Sequence, residues 1–458
     1  MINRRILVTI FAVFITLSTI TKAIAFPDKF DLAGPSLKDW KIPDLWSKKI
    51  KKKDKKLARK YPLWATATAH RSATFIIENN KPLVIGYLRY GESVRASKEV
   101  TAPGCSNGKW HKIPGNFNFL VCTQEDIKIS KKRPKTTNLY PPGNLNAAEP
   151  WVFAKADKGA PRFLRLPSAK DERLIKKWKQ KRKKSAIEEQ PKALHEFMDG
   201  IYFLALGDKK KKNGKKYYHT SMNRWVRAEE IKILKQSQMH GEYISNKNPL
   251  PIAFVYGKDR PLYRYKNRRL VKIGTAAKHS RINVLKTIKY RRKNYVVDSR
   301  KLAIDRNMVR VAKRISRPTS IPKGSKWLHL NLAEQTLVAY EDQKPVLATL
   351  ISSGLDTHKT PTGTYMIQRR YISKFMAGPD PDHGVYEVAE VPWILFYSGN
   401  YAVHGAYWHN VFGEQRSHGC TNVAPIDARW LFRWVEPKFP YNWYIRFYHA
   451  KSWAYFTD

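Results

Sequence analysis

All of the net positive charge in this chain lies in its first 325 residues. Lysine and arginine number 86 against 37 acidic residues over 458 positions, a formal net charge of +49, yet Lys326–Asp458 holds 12 basic and 12 acidic residues and is neutral. Like charges on one surface repel, so the basic part is held to short elements with solvated faces and calls for an anionic partner; the neutral part can close an ordinary core. This balance excludes an ordinary cytosolic metabolic enzyme as the default. With 42% apolar residues the chain can supply cores for two or three domains. The turn-rich run RPTSIPKGSK, with Pro318, Pro322 and Gly324, puts a boundary near residue 320.

Arg4 and Arg5 precede the apolar run Ile6–Ile20, which is followed by Thr21, Lys22 and the triplet Ala23-Ile24-Ala25. A charged start, an apolar stretch and an A-x-A site make residues 1–25 a signal peptide and the protein an exported one, in the periplasm or cell wall. The alternative is an uncleaved anchor, for which the apolar run is short. No later stretch reaches the ~18 apolar residues of a membrane span, so membrane contact is at most peripheral. Without residues 1–25 the chain keeps 83 basic against 37 acidic residues. An exported protein with that excess meets anionic cell-envelope polymers, and nucleic acid is not its expected partner.

Residues 26–60, with the run KKIKKKDKKLARK, read as a basic linker. Residues 61–193 read as a β-rich accessory module with short apolar runs and one basic helix over Lys170–Glu189, acidic at its start as the helix dipole favours. Residues 194–320 read as further β-rich modules, with strand groups near Leu194–Leu234 and Ile252–Val311. Their repeated pattern, a tyrosine-bearing strand followed by W/Y-V and a later Leu or Ile, resembles the small Src-homology-3-like barrels that accompany bacterial wall enzymes. The lysine clusters at 209–216 and 289–293 read as solvated loops or as points of attraction to an anionic wall. Cys105 and Cys122 bracket a short loop and read either as a disulfide or as two reduced small apolar residues. Cys420 is left over, and an odd thiol in an exported protein is a candidate for reactivity.

Residues 326–458 alternate apolar and polar positions in WLHLNL, QTLVAYED, GTYMIQRRY and YAVHGAY, which predicts a mainly β sandwich or barrel. Only PIDARWLFRWV at 425–435 has helical spacing, with Pro425 suited to the first position. The chemical signal is His404-Gly405 followed, 12 residues later, by Ser417-His418-Gly419-Cys420-Thr421-Asn422. A thiol becomes a nucleophile as thiolate, which needs a base or a positive environment. Gly419 lets the backbone turn tightly, so that amides near Cys420 can face the point that the sulfur faces and hold an oxyanion.

The stretch HG-x11-SHGC-x-N, with TPTGTY at 360–365, closely resembles the L,D-transpeptidase catalytic-domain family of peptidoglycan enzymes over residues ~326–449. The resemblance implies a mostly β fold and a cysteine acyltransferase that needs no cofactor. It implies that Cys420 attacks the L-centre carbonyl of a tetrapeptide stem and expels D-alanine, and that an amine on a second stem captures the thioester as a 3-3 cross-link. His404 is then the general base, the Gly405 carbonyl orients its ring, and His418, Gly419 and Cys420 frame the oxyanion region. Ser417 and Asn422 brace the loop on the substrate side. Arg416 meets a stem-peptide carboxylate or is a plain surface arginine. Thr421 stands where many members carry an aliphatic residue. His409 is structural or substrate-side, Tyr365 and Trp393 are packing residues, and Ala377–Val391 is a loop-like lid. Asp380, Asp382 and His383 match no metal-ligand spacing, and no metal site is expected. Water as acceptor would make an L,D-carboxypeptidase, a D-amino acid an exchange enzyme. The reading from a different class is a non-catalytic basic scaffold that binds the wall.

Overall fold

The computed structural model describes residues 56–69, 71–115, 118–134, 143–181, 189–380, 383–440, 443–447 and 452–458. The expected signal peptide and all but the last five residues of the expected linker lie outside them. Among the described residues no helix is long and apolar enough to cross a membrane. The molecule is mainly β, as the alternation of apolar and polar residues predicts.

Among the described residues Pro251–Val309 makes one compact unit; those up to Leu250 and from Arg310 to Asp458 make another. The boundary expected near residue 320 falls inside the larger unit. The smaller unit carries an antiparallel sheet in which Arg260–Lys266 pairs with Arg269–Ala276 and with Leu302–Asp305. Tyr263 and Tyr290 meet Tyr295 edge-on, at 5.6 and 6.5 Å between ring centroids, over its small apolar cluster.

The strands of the larger unit that position the candidate site are β1 (Arg71–Glu78), β2 (Lys81–Arg89), β3 (Val152–Ala156), β4 (Ile201–Lys212), β5 (Glu242–Tyr243), β6 (Lys326–Asn331), β7 (Thr336–Glu341), β8 (Lys344–Ser352), β9 (Gly363–Met366), β10 (Arg369–Asp380), β11 (Gly384–Ser398), β12 (Tyr401–Gly405), β13 (Thr421–Val423), β14 (Ile445–Phe447) and β15 (Ser452–Thr457). Helix α1 covers Ala169–Lys181 and α2 covers Pro425–Trp434. Ser168 caps α1 reciprocally: its Oγ accepts from the Asp171 amide at 3.1 Å and its amide donates to the Asp171 carboxylate at 2.8 Å. The expected continuation of α1 to Glu189 runs through 182–188, outside the described residues.

In the neutral region, β6 lies between β7, antiparallel, and β15, parallel, and β15 also pairs with β9. The chain's last strand therefore closes a sheet begun some 120 residues earlier, which buries Leu328, Leu330, Leu337 and Phe456 almost completely. Helix α2 packs on β11 and β12. Pro425 starts it, where a missing N–H costs nothing. Its buried Asp427 accepts from the Gly241 amide at 2.9 Å and from Thr349 Oγ1 at 2.5 Å.

The segment expected as a loop-like lid is instead the distal part of one long hairpin, β10 with β11, in register from Arg369↔Phe396 to Asp380↔Gly384 with a bulge between Lys374 and Met376. Its sequence, VYEVAEV, alternates as a strand does; Pro379 and Pro381 disguise it, because proline is tolerated near a strand end.

The basic region extends these sheets. Strand β4 runs parallel to β11 with Ile201↔Tyr386 and Phe203↔Val388, while β2 pairs with β14 and β5 with β8. Arg89 and Glu390 form a buried ion pair at 2.8 Å, Arg162 reaches Glu387 at 3.0 Å, and the Trp393 indole donates to the Ala148 carbonyl at 2.6 Å. Cys105 and Cys122 are joined as a disulfide that closes a 17-residue separation, which settles the pair left open from sequence; such a loop is worth roughly 3 kcal/mol on the chain-entropy view.

Candidate active site

Parallel pairing of β12 with β13 sets His404 opposite Asn422 and Val403 opposite Thr421. Alternate residues of a strand share a face, so Ala402 and His404 point the same way. The sulfur of Cys420, just before β13, takes a hydrogen bond from the Ala402 amide and lies 3.5 Å from the Asn400 carbonyl. Cys420 is thus held beside Ala402, two residues before His404 along β12. Among the described residues the thiol and the imidazole share no hydrogen bond.

His404 is buried, with Nδ1 3.2 Å from the Gly405 carbonyl. With Nδ1–H donated there, Nε2 is the free lone pair of the ring. Burial brings the imidazole pKa down to about 4, against a smaller opposing pull from that carbonyl. Burial likewise raises the Cys420 thiol above its ordinary value, more than the Ala402 amide and the Lys374 ammonium lower it. The resting pair at neutral pH is a thiol and a neutral imidazole, both desolvated, rather than a preformed ion pair.

The loop before the cysteine is held from several sides. Gly419 sits at φ +110°, and a Cβ there would stand 2.6 Å from Tyr401 Cε1, so only glycine fits. Its carbonyl accepts from Thr360 Oγ1 at 2.8 Å, and the same hydroxyl oxygen accepts from the Gly354 amide at 2.9 Å. Ser417 Oγ accepts from the Gly419 amide at 3.1 Å and donates to the Cys420 carbonyl. The Gly419 N–H is therefore spent within the loop, a correction to its expected place among oxyanion donors. The amides of His418 and Cys420 have no acceptor among the described residues.

The other expected residues are placed as follows. Ser417 is buried and works within the loop, not at its surface. Asn422 is buried; its side-chain amide bonds His409 Nε2 at 2.9 Å, and its Oδ1 has no partner. His409 is thereby tied to β13. Arg416 is exposed, its backbone amide tied to the Ser353 carbonyl at 2.8 Å. Trp393 is buried against Phe432. Tyr365 donates to the Thr362 carbonyl at 2.8 Å. His383 bonds Asp380 at 2.8 Å across the hairpin tip, and Asp382 lies outside the described residues.

Sequence reasoning missed four neighbours. Tyr386 of β11 stacks on the exposed His418 ring, 5.2 Å between centroids at 17°, and His358 meets the same ring edge-on at 5.0 Å. Lys374 of β10 interacts electrostatically with Cys420. Thr360 holds the loop. Only Thr360 carried a signal, as the first residue of TPTGTY; Lys374 and Tyr386 reach the site through hairpin register and His358 through the turn at 356–358, which no local pattern announces.

Residues 325–442 match the family described as YkuD, the L,D-transpeptidase catalytic domain. The chain is 27% identical over 125 residues to YciB of Bacillus subtilis (strain 168), a protein named as an L,D-transpeptidase; the match covers 23% of this chain and 59% of that relative, so the chain spans little over half of it. Among solved structures, the catalytic domain of the E. faecium L,D-transpeptidase is 23% identical with TM-score 0.24, covering 29% of this chain and 98% of that one. L,D-transpeptidase 3 of Mycobacterium tuberculosis is 15% identical with TM-score 0.25, covering 36% and 77% respectively. By the family match and by the motif within it, residues 325–442 of this chain are similar to the L,D-transpeptidase catalytic domain.

Proposed function

We propose that this protein is a peptidoglycan L,D-transpeptidase whose nucleophile is Cys420 and whose general base is His404. The observation that carries the reading is the pairing of β12 with β13, which sets His404 opposite Asn422, two residues after Cys420, with the Cys420 loop held by Thr360 and Ser417. In the first step the sulfur attacks the L-centre carbonyl of a donor stem and its proton passes to His404 Nε2. The oxyanion is held by the Cys420 and His418 amides, and the C–N bond breaks as D-alanine leaves with that proton. In the second step an acceptor amine attacks the thioester, an amide forms, and the proton returns to sulfur. Because thiol and imidazole rest neutral and apart, proton transfer awaits the substrate, whose arrival brings the two groups into line.

The excess of basic residues before residue 326 supports a place of work in the cell envelope, after export, against anionic polymers. Mass spectrometry of the full-length protein with a tetrapeptide donor is the test. A thioester adduct on Cys420, with loss of one D-alanine and no adduct on Cys420→Ala, is expected; a folded wild-type protein that forms none would overturn the reading. Muropeptide analysis of treated wall then separates cross-linking from hydrolysis and exchange.

A further inference from the structure

Among the described residues Lys374 and Arg369 of β10 and Arg71 of β1 have no ion pair, and Lys374 interacts electrostatically with Cys420. Lys374 Nζ lies 5.4 Å and the Arg369 guanidinium 4.7 Å from the centroid of the Phe396 ring. Phe396 pairs with Ala402, whose amide bonds the Cys420 sulfur. Arg71, from the basic region, and Arg369 both press on the half-buried Lys374 ammonium. The carboxylates of the same hairpin are engaged elsewhere: Asp380 with His383, Glu387 with Arg162, Glu390 with Arg89. A partly desolvated ammonium with two like charges near it and no ion pair among the described residues is costly to keep, and an anionic ligand relieves that cost.

We propose that Lys374, supported by Arg369 and Arg71, forms a carboxylate subsite next to Cys420 that takes the terminal carboxylate of the residue expelled from the donor peptide. This rests on the reading of the site as a peptide acyltransferase. In such a peptide the terminal carboxylate is two bonds from the leaving nitrogen, so a cation close to the sulfur is where that charge arrives. The subsite selects donors that end at the residue after the scissile bond over donors that continue or are amidated there. Arg71 makes the basic region part of the substrate site.

Binding of N-acetyl-L-lysyl-D-alanine and of its C-terminal amide to full-length Cys420→Ala protein, by calorimetry, tests the subsite without turnover. The free acid is expected to bind roughly 10- to 100-fold tighter than the amide, the worth of one charge-assisted hydrogen bond. Lys374→Met should erase the preference and Lys374→Arg keep most of it; Arg71→Gln, at an exposed position, gives a milder second variant should Lys374→Met not fold. Equal binding of acid and amide, or a preference untouched by Lys374→Met and Arg71→Gln, overturns the proposal. So does a shifted pH profile of Cys420 alkylation in Lys374→Met with the acid preference intact, because the lysine would then serve the sulfur and not the ligand. If the acid preference holds while no thioester forms on the native Cys420 protein, the acyl-transfer reading falls and the subsite stands.

Discussion

At the scale of residues, the site depends on a few atoms that cannot be exchanged. Gly419→Ala puts a Cβ 2.6 Å from the Tyr401 ring at a φ that L side chains avoid. We expect a loss of about 1–3 kcal/mol in urea unfolding and a collapse of Cys420 acylation that exceeds the stability loss, since the sulfur moves with the loop. The buried His404 and His329 both have pKa values near 4, below the ordinary 6.5, because burial disfavours the charged ring. Above 6.5 the folded and unfolded chains carry the same protons at these sites. As pH falls from 6.5 to 4 the unfolded chain binds protons that the folded one refuses, so stability declines by up to about 1.4 kcal/mol per pH unit for each ring and then levels off. Urea midpoints at pH 7, 5.5 and 4 will show this slope; His404→Asn should lessen it and leave the part due to His329. The raised thiol predicts that Cys420 alkylation in the free protein keeps accelerating above about pH 8.5, with no plateau near neutrality.

At the scale of elements, the β10–β11 hairpin couples the basic region to the nucleophile. Its β11 edge is paired by β4, its Glu390 is neutralised by Arg89, and its Tyr386 stacks on His418. Arg89→Met leaves a buried carboxylate without its partner, which typically costs about 3–5 kcal/mol. Double substitution with Glu390→Gln should recover much of that loss, measured by thermal unfolding of all three variants. The hairpin was legible as alternating residues but its role was not. A strand is readable from period-2 patterning, whereas the neighbour on its free edge is chosen by segments 180 residues away.

At the scale of the molecule, the charge step at residue 326 suggests a catalytic part that could be cut free, but the sheets cross that line. Expressed alone, residues 326–458 would expose the edges covered by β2, β4 and β5 and would lose the Asp427 bond to Gly241. Unpaired edges of this kind recruit other chains. We expect the fragment to aggregate or to unfold well below the full-length protein, as read by light scattering and thermal unfolding side by side.

The residues proposed to make and break bonds are legible in sequence because they are local. His404-Gly405, the SHGC run and TPTGTY announce a nucleophile, a base and a tight glycine turn within short stretches, and the 12-residue gap limits how far apart the two groups can lie. The helix at 425 was legible for a similar reason, through proline at its first turn and helical spacing after it. What the sequence by itself determined was thus the family motif and the class of fold. Tertiary structure alone decided that the thiol and imidazole rest neutral and unjoined, that the Gly419 amide turns inward, and that Lys374 and Tyr386 interact with Cys420. Those outcomes follow from burial and strand register, which depend on partners distant along the chain and leave no mark in any short window of residues.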